Sequence, residues 1–310
     1  MKIFYVDTGV NKGYLYYNDL YRSLCKIADV SLFLSGSFKI GNIVSLARSF
    51  DVIIFGLGWM AQNDASVYGK IVGLRKFGVP VVVLLHKPQT LLSNKLKFCR
   101  DNADLLVYAQ VESEEYGRVA NVPFLWSWHA GDHKVFFDRG AKKVFDFGFS
   151  GALHGSGKTK GATRDIRVRI FDIVRSMGIR LFWNGSDKIA PRIRSVGEYA
   201  LRINQSKIWL TTTGPLEDVG PRYFEIGLSR SLIFCNRMGR AYNNVFRDGD
   251  NCVMFENDLS DFREKLLYYL GNDGERLKIV DRAFNEFRLK HTWDCRAREL
   301  VDRIGVISRG

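Results

Sequence analysis

Short apolar runs without polar alternation recur along this chain, each followed by an amphipathic stretch, and the series stops once and starts again. Residues 3–6, 30–34, 51–55, 81–85 and 105–109 are such runs. Between them, residues 14–28, 66–77, 91–100 and 113–120 space their apolar positions as helices do. A strand with one wet face alternates apolar and polar residues. An unbroken Val/Ile/Leu run needs cover on both faces, and helices between such runs supply it over a parallel sheet. The first run meets charge too soon for a secretory leader and reads as a buried strand.

The pattern lapses over residues 129–143, where polar and glycine residues carry no period. It resumes with strands at 144–149, 180–183, 208–212, 232–235 and 253–255. Helices are expected at 164–177, 199–205, from Pro221, and at 259–270, 275–290 and 293–304. The chain is therefore read as α/β, with two doubly wound units in tandem: residues 1–135, and residues 143–310 with the last helices packing back on the first unit. Its 310 residues suit two domains. Two such units leave a cleft, and ligands gather at the carboxyl ends of such strands.

Composition removes several classes. No apolar run approaches the roughly 18 residues that span a bilayer. The five cysteines are widely spaced, with no C-x-x-C pair, which argues against a disulfide framework or a zinc site and fits a soluble protein in the reducing cytoplasm. The 46 Lys+Arg against 33 Asp+Glu give a net charge of +13, which suits an anionic partner or simply a soluble surface. The aromatics fall mostly at core positions rather than between exposed cations, which argues against nucleic acid. A membrane surface stays open as a partner. His129, Asp132 and His133 resemble metal ligands in type, but their place between the two series favours a linker, and no metal is expected.

Two glycine motifs tempt. Residues 151–159 end in Gly-Lys-Thr after a strand, but the first glycine of a P-loop would fall at Ala152. The segment is better read as a glycine-rich anion-binding loop or a surface loop. Gly56-Leu57-Gly58 follows strand 51–55, yet the next helical pattern begins only after Asn63-Asp64-Ala65, so a glycine turn is preferred to a dinucleotide fingerprint. The richest constellation is 211–225. A buried strand ends in Thr211-Thr212-Thr213, Gly214 and Gly220 allow a tight loop, and a helix opens at Pro221 with Arg222, Tyr223 and Glu225. Arg222 suits a diphosphate, each charge-assisted hydrogen bond being worth about 1.5–3 kcal/mol. A carboxylate at Glu225 accepts two hydrogen bonds from a ribose diol. A capping loop with a local Arg–Glu pair is the plainer alternative.

Glu217 and Glu225 enclose seven residues around Gly220. This element resembles the E-x7-E of retaining GT-B glycosyltransferases, especially glycosyltransferase family 4. Arg222-Tyr223-Phe224-Glu225 is also similar to the R-x-x-E of spore-maturation-type glycosyltransferases. The resemblance implies two Rossmann-like domains facing across a cleft (GT-B). It also implies a nucleotide-sugar donor (a UDP- or GDP-sugar) on the second domain, no metal requirement, and transfer with retention to an acceptor glycan, protein or lipid. It gives Glu217 and His86 catalytic roles. Donor binding would fall to Gly151, Lys160, Arg164, Thr213, Gly214, Gly220, Arg222, Tyr223 and Glu225, with Gly9 and Gly13 forming the acceptor-side loop. The sequence departs from the family at the residue two past Gly151, where an Arg is usual and Leu153 stands. Two other readings remain: a non-catalytic nucleic-acid or glycan binding module, and a nucleotide-sugar epimerase on the same fold. The oligomeric state is not legible.

Overall fold

The computed structural model describes residues 1–8, 15–34, 49–71, 73–109, 113–151, 162–185, 193, 195–214 and 218–307; the side chains at 15, 16, 113, 162–165 and 185 lie outside that description. The chain forms two compact units, Met1–Trp128 joined by Trp293–Gly310, and His129–Thr292.

The first unit is built on a parallel sheet. Its strands are β1 (Lys2–Val6), β2 (Asp29–Phe33), β3 (Val52–Phe55), β4 (Val81–Leu84), β5 (Leu105–Tyr108) and β6 (Phe124–Trp126), in the order β2-β1-β3-β4-β5-β6. The helices α1 (Leu15–Leu24), α2 (Leu57–Met60), α3 (Ala65–Gly69), α4 (Leu92–Asn102) and α5 (Ser113–Ala120) alternate with them. Strands β3, β4 and β5 are buried at every position, as their unbroken apolar runs require. Phe55, Trp59 and Phe98 form the aromatic centre of this core.

Two features differ from the sequence expectation. The helix expected over 66–77 is broken. Asp64 caps α3 by accepting from the Ser66 N–H at 2.9 Å, but Gly73 takes a left-handed backbone, φ +80°, and only a 3₁₀ turn at Leu74–Phe77 follows. Strand β6 was not foreseen: it is three residues long, lies at the sheet edge, and leaves Phe124 and Trp126 partly exposed.

The second unit carries β7 (Phe145–Gly151), β8 (Leu181–Gly185), β9 (Ser206–Thr211), β10 (Leu232–Asn236) and β11 (Val253–Phe255). All pair in parallel, in the order β11-β10-β9-β7-β8. Its helices are α6 (Ala162–Ser176), α7 (Val196–Asn204), α8 (Arg222–Leu228), α9 (Phe262–Gly271) and α10 (Asp273–Lys290). Phe147, Ile170, Leu210, Phe234 and Phe262 are all fully buried in one core. The final helix α11 (Trp293–Ile307) returns to the first unit. It packs on α1, Lys26 pairs with Asp294, and Arg296 Nε donates to the Trp128 carbonyl at 2.9 Å. The chain thus passes between the units at 128/129 and again at 292/293.

Candidate functional site

In the second unit the chain leaves β7 for β8 on one side, then returns to place β9 on the other. The order reverses between β7 and β9, and the carboxyl ends of strands at such a reversal are where open α/β sheets bind ligands. Phe147 pairs with Ile208 and Gly148 with Trp209, so continuing that register sets Gly151 opposite Thr212. Most of the sequence-derived donor residues fall at this edge.

Arg222 lies in the first turn of α8, directly over the end of β7. A Cβ added at Gly151 would stand 3.0 Å from Arg222 Nη1 and 3.1 Å from Phe149 Cζ. Gly151 thus allows a close approach here: the guanidinium rests on bare backbone. Glu225 follows one turn later, on the same face of α8. Burial pushes its carboxyl up to about 7, against the opposing pull of Arg222 and the Tyr199 hydroxyl. Burial therefore wins over the attraction of the Arg222 charge at Glu225. Tyr199, from α7, lies close enough to Arg222 and Glu225 to perturb both, and its buried hydroxyl makes no well-formed hydrogen bond among the described residues. The charge of Arg222 is held firmly, because Tyr199 and Glu225 outweigh the burial that opposes it.

The loop between β9 and α8 is pinned from β10. The Thr213 N–H donates to Asn236 Oδ1 at 2.9 Å, and Asn236 Nδ2 donates back to Thr213 Oγ1 at 3.1 Å. The Gly214 N–H donates to the Asp218 carbonyl at 2.9 Å, and a Cβ at Gly214 would overlap the Asp218 carboxylate. Gly220 has open space where a Cβ would go. Tyr223 is turned inward and packs on Phe246, with ring centroids 5.2 Å apart. The structure thus brings Gly151, Thr213, Gly214, Gly220, Arg222 and Glu225 to one edge of one sheet and buries Tyr223 behind them. Gly9, Gly13, Lys160 and Glu217 lie outside the described residues. Arg164 is placed by its backbone in α6, but its side chain is not described.

Sequence reasoning missed Arg167. From α6 its Nε donates to Thr212 Oγ1 at 2.8 Å, and its guanidinium carbon lies 5.7 Å from the centre of the Phe149 ring. Burial, and next the positive charge of Arg222, lower its pKa to about 10. A signal was present: Arg167 borders the stripe Ile166, Ile170, Val174 that faces the core.

In the first unit, His86 follows β4, with its ring edge-on to Tyr17 at 5.3 Å. The loop carrying it is tied down by Lys95, whose buried ammonium donates to the carbonyls of His86 at 2.9 Å and Lys87 at 2.8 Å. The order of this sheet reverses between β1 and β3. There α2 opens directly after Gly56, earlier than the sequence suggested, and the Gly58 N–H donates to the buried Asp7 carboxylate at 3.2 Å. Among the described residues no three His, Cys, Asp or Glu side chains gather as metal ligands, and no helix is long and apolar enough to cross a membrane.

Residues 158–302 match the family model described as glycosyl transferase-like. No curated protein matches the chain by sequence. Solved structures match it end to end. Anabaena HepE, in complex with UDP, superposes with a TM-score of 0.67 at 12% identity, covering 99% of this chain and 100% of that one. HepE in complex with UDP-glucose gives 0.64 at 12% identity, with the same coverage. Sucrose-phosphate synthase from Thermosynechococcus elongatus gives 0.64 at 10% identity over 97% and 98% of the two chains. A glycosyltransferase from Rickettsia africae gives 0.62 at 12% over 99% and 98%. The fold is GT-B, with two Rossmann-like units.

Proposed function

We propose that this chain, a GT-B fold whose residues 158–302 match a glycosyl transferase-like domain, moves a sugar from a nucleoside-diphosphate sugar to an acceptor hydroxyl. The observation that carries the reading is the edge of the second unit. There a guanidinium rests on bare backbone at Gly151, with a carboxyl one helical turn away, at the reversal of strand order.

In this reading Arg222 meets the diphosphate and Glu225 accepts from the ribose diol. As the bond from the anomeric carbon to phosphate breaks, negative charge grows on the departing diphosphate. A fixed cation aimed at that charge lowers the barrier. Arginine supplies it here, so the reading needs no metal. Lys160 and Arg164 are further cations for the phosphates, Thr213, Gly214 and Gly220 shape the loop, and Tyr223 supports it from behind. Glu217 is assigned to the sugar hydroxyls near the reacting carbon, and His86 to the acceptor-side unit, with the Gly9 and Gly13 loop. The E-x7-E resemblance supports retention, and the UDP and UDP-glucose held by HepE support a uridine nucleotide as the donor's carrier.

The test is release of nucleoside diphosphate from a panel of UDP- and GDP-sugars by the wild type, Arg222→Ala and Glu225→Ala, with folding checked by circular dichroism. Loss of one charge-assisted contact corresponds to a fall of about 10- to 150-fold in kcat/KM. Wild-type kcat/KM in both variants would remove the site assignment.

A further inference from the structure

The outer edge of the first unit's sheet carries aromatic side chains that the donor site does not use. β6 closes the sheet there and pairs with β5, Phe124 beside Leu106 and Trp126 beside Tyr108. Alternate residues of a strand share a face, so Phe124 and Trp126 stand about 6.6 Å apart on the side where Leu106 and Tyr108 are buried. Helix α5 covers the base of this row: a Cβ at Gly117 would stand 3.0 Å from Phe124 Cβ. Even so, Phe124 is 37% and Trp126 36% exposed. The half-buried Trp128, two residues on, packs against Trp126 with ring centroids 4.6 Å apart.

Area and charge separate the occupants that would suit such rings. With a little over a third of each exposed, Phe124 and Trp126 together offer on the order of 150 Å². A stable protein interface takes about 800 Å² from each partner, and a three-residue edge gives an added strand few hydrogen bonds. An anionic lipid surface seeks Lys and Arg around the rings, whereas α5 opens at this edge with exposed Glu114 and Glu115. A neutral sugar ring suits both the area and the charge. Its C–H face stacks on an aromatic plane, its hydroxyls donate to carboxylates, and two rings spaced along a strand suit successive units of a chain.

We propose that Phe124 and Trp126, backed by Trp128, form a stacking platform for a neutral glycan, and that the acceptor is therefore a glycan chain. This rests on the sugar transfer proposed above and supplies its acceptor class. β6 lies two strands from β4, whose end leads to His86, so about 10 Å of sheet separates the platform from that residue. The platform holds the chain away from its reacting end, and a single sugar is too short to use it.

The experiment is calorimetric titration of the full chain with neutral hexasaccharides of glucose, mannose, galactose and N-acetylglucosamine, and with the four monosaccharides. It compares wild type, Trp126→Leu and Trp126→Tyr, with melting temperature, sedimentation and nucleoside diphosphate release from UDP- and GDP-sugars measured on the same samples. The wild type is expected to bind at least one hexasaccharide more tightly than its monosaccharide. Trp126→Leu keeps apolar bulk without a flat ring and should weaken that binding about tenfold, with the melting temperature unchanged. Trp126→Tyr keeps a ring and should stay within about threefold of the wild type. Equal hexasaccharide affinity in wild type and Trp126→Leu would overturn the platform, as would a wild type that binds none of the hexasaccharides. A wild-type dimer that Trp126→Leu dissociates would make the rings a protein interface and overturn it too. If the wild type releases no nucleoside diphosphate from any donor, sugar transfer itself falls and the acceptor role with it, whatever the hexasaccharide binding.

Discussion

Glu225 offers the sharpest quantitative check, because burial and the charge of Arg222 act on it in opposite directions. Its carboxyl stands at about 7 in the folded chain against an ordinary 4.5. A carboxyl raised on folding binds its proton more tightly folded than unfolded. Its contribution to stability is therefore whole below pH 4.5 and is lost as the pH climbs to about 7. At roughly 1.4 kcal/mol per pH unit, ionising it costs the fold about 3 kcal/mol. Glu225→Gln keeps the shape and cannot titrate. The assay is urea unfolding from pH 4.5 to 8, followed by hydrogen exchange at the β7 and β9 amides, with the variant's curve subtracted from that of the wild type. The difference should fall by about 3 kcal/mol between pH 4.5 and 7 and be flat above. A flat difference throughout would mean that Arg222 and Tyr199 compensate the burial fully. A difference rising with pH would mean that ion pairing dominates, and the account of this carboxyl would be wrong.

Two further substitutions test how each sheet edge is built. Gly56→Ala places a Cβ over the Asp7 carboxylate and 2.7 Å from Tyr5 Oη; with both groups buried in the first unit, about 1–3 kcal/mol of stability should be lost in thermal unfolding. A wild-type melting temperature would show that the approach is not tight. Lys95→Met removes the ammonium that holds the carbonyls of His86 and Lys87, in a loop where Lys87 and Leu91 already have positive φ. It should cost about 2 kcal/mol and lower sugar transfer if His86 acts there, whereas unchanged stability would mean that water replaces the ammonium at no cost.

The parallel sheets were legible because burial on both faces leaves a direct trace in the sequence. Val52–Phe55, Val81–Leu84 and Leu105–Tyr108 are uninterrupted apolar runs, and each is buried at every position. The misses share another cause. Phe124–Trp126 sits at an edge, pairs with one neighbour and keeps two aromatics half exposed, so it shows neither a long run nor alternation. The helix expected over 66–77 has sound apolar spacing on paper. It ends at Gly69, and the left-handed backbone at Gly73 keeps the 3₁₀ turn at Leu74–Phe77 apart from it; glycine in a sequence permits that conformation without requiring it.

The candidate site divides along the same line. Residues 211–225 could be read in advance because a strand end, a glycine turn and a helix start follow one another in sequence, and the chemistry-bearing side chains lie within that one connection. Arg167 belongs to a helix with three other arginines, at 164, 169 and 175, and only its place beside the apolar stripe sets it apart from them. Its neighbours in space are Thr212 and Phe149, 45 and 18 residues away, and the sheet order alone brings those two strand ends side by side. A residue on the loop that makes a site is thus visible from sequence. A residue that reaches the site from a covering helix becomes visible only once the register of β7 against β9 is known. Its one trace beforehand is a charge placed where the apolar stripe of a helix ought to continue.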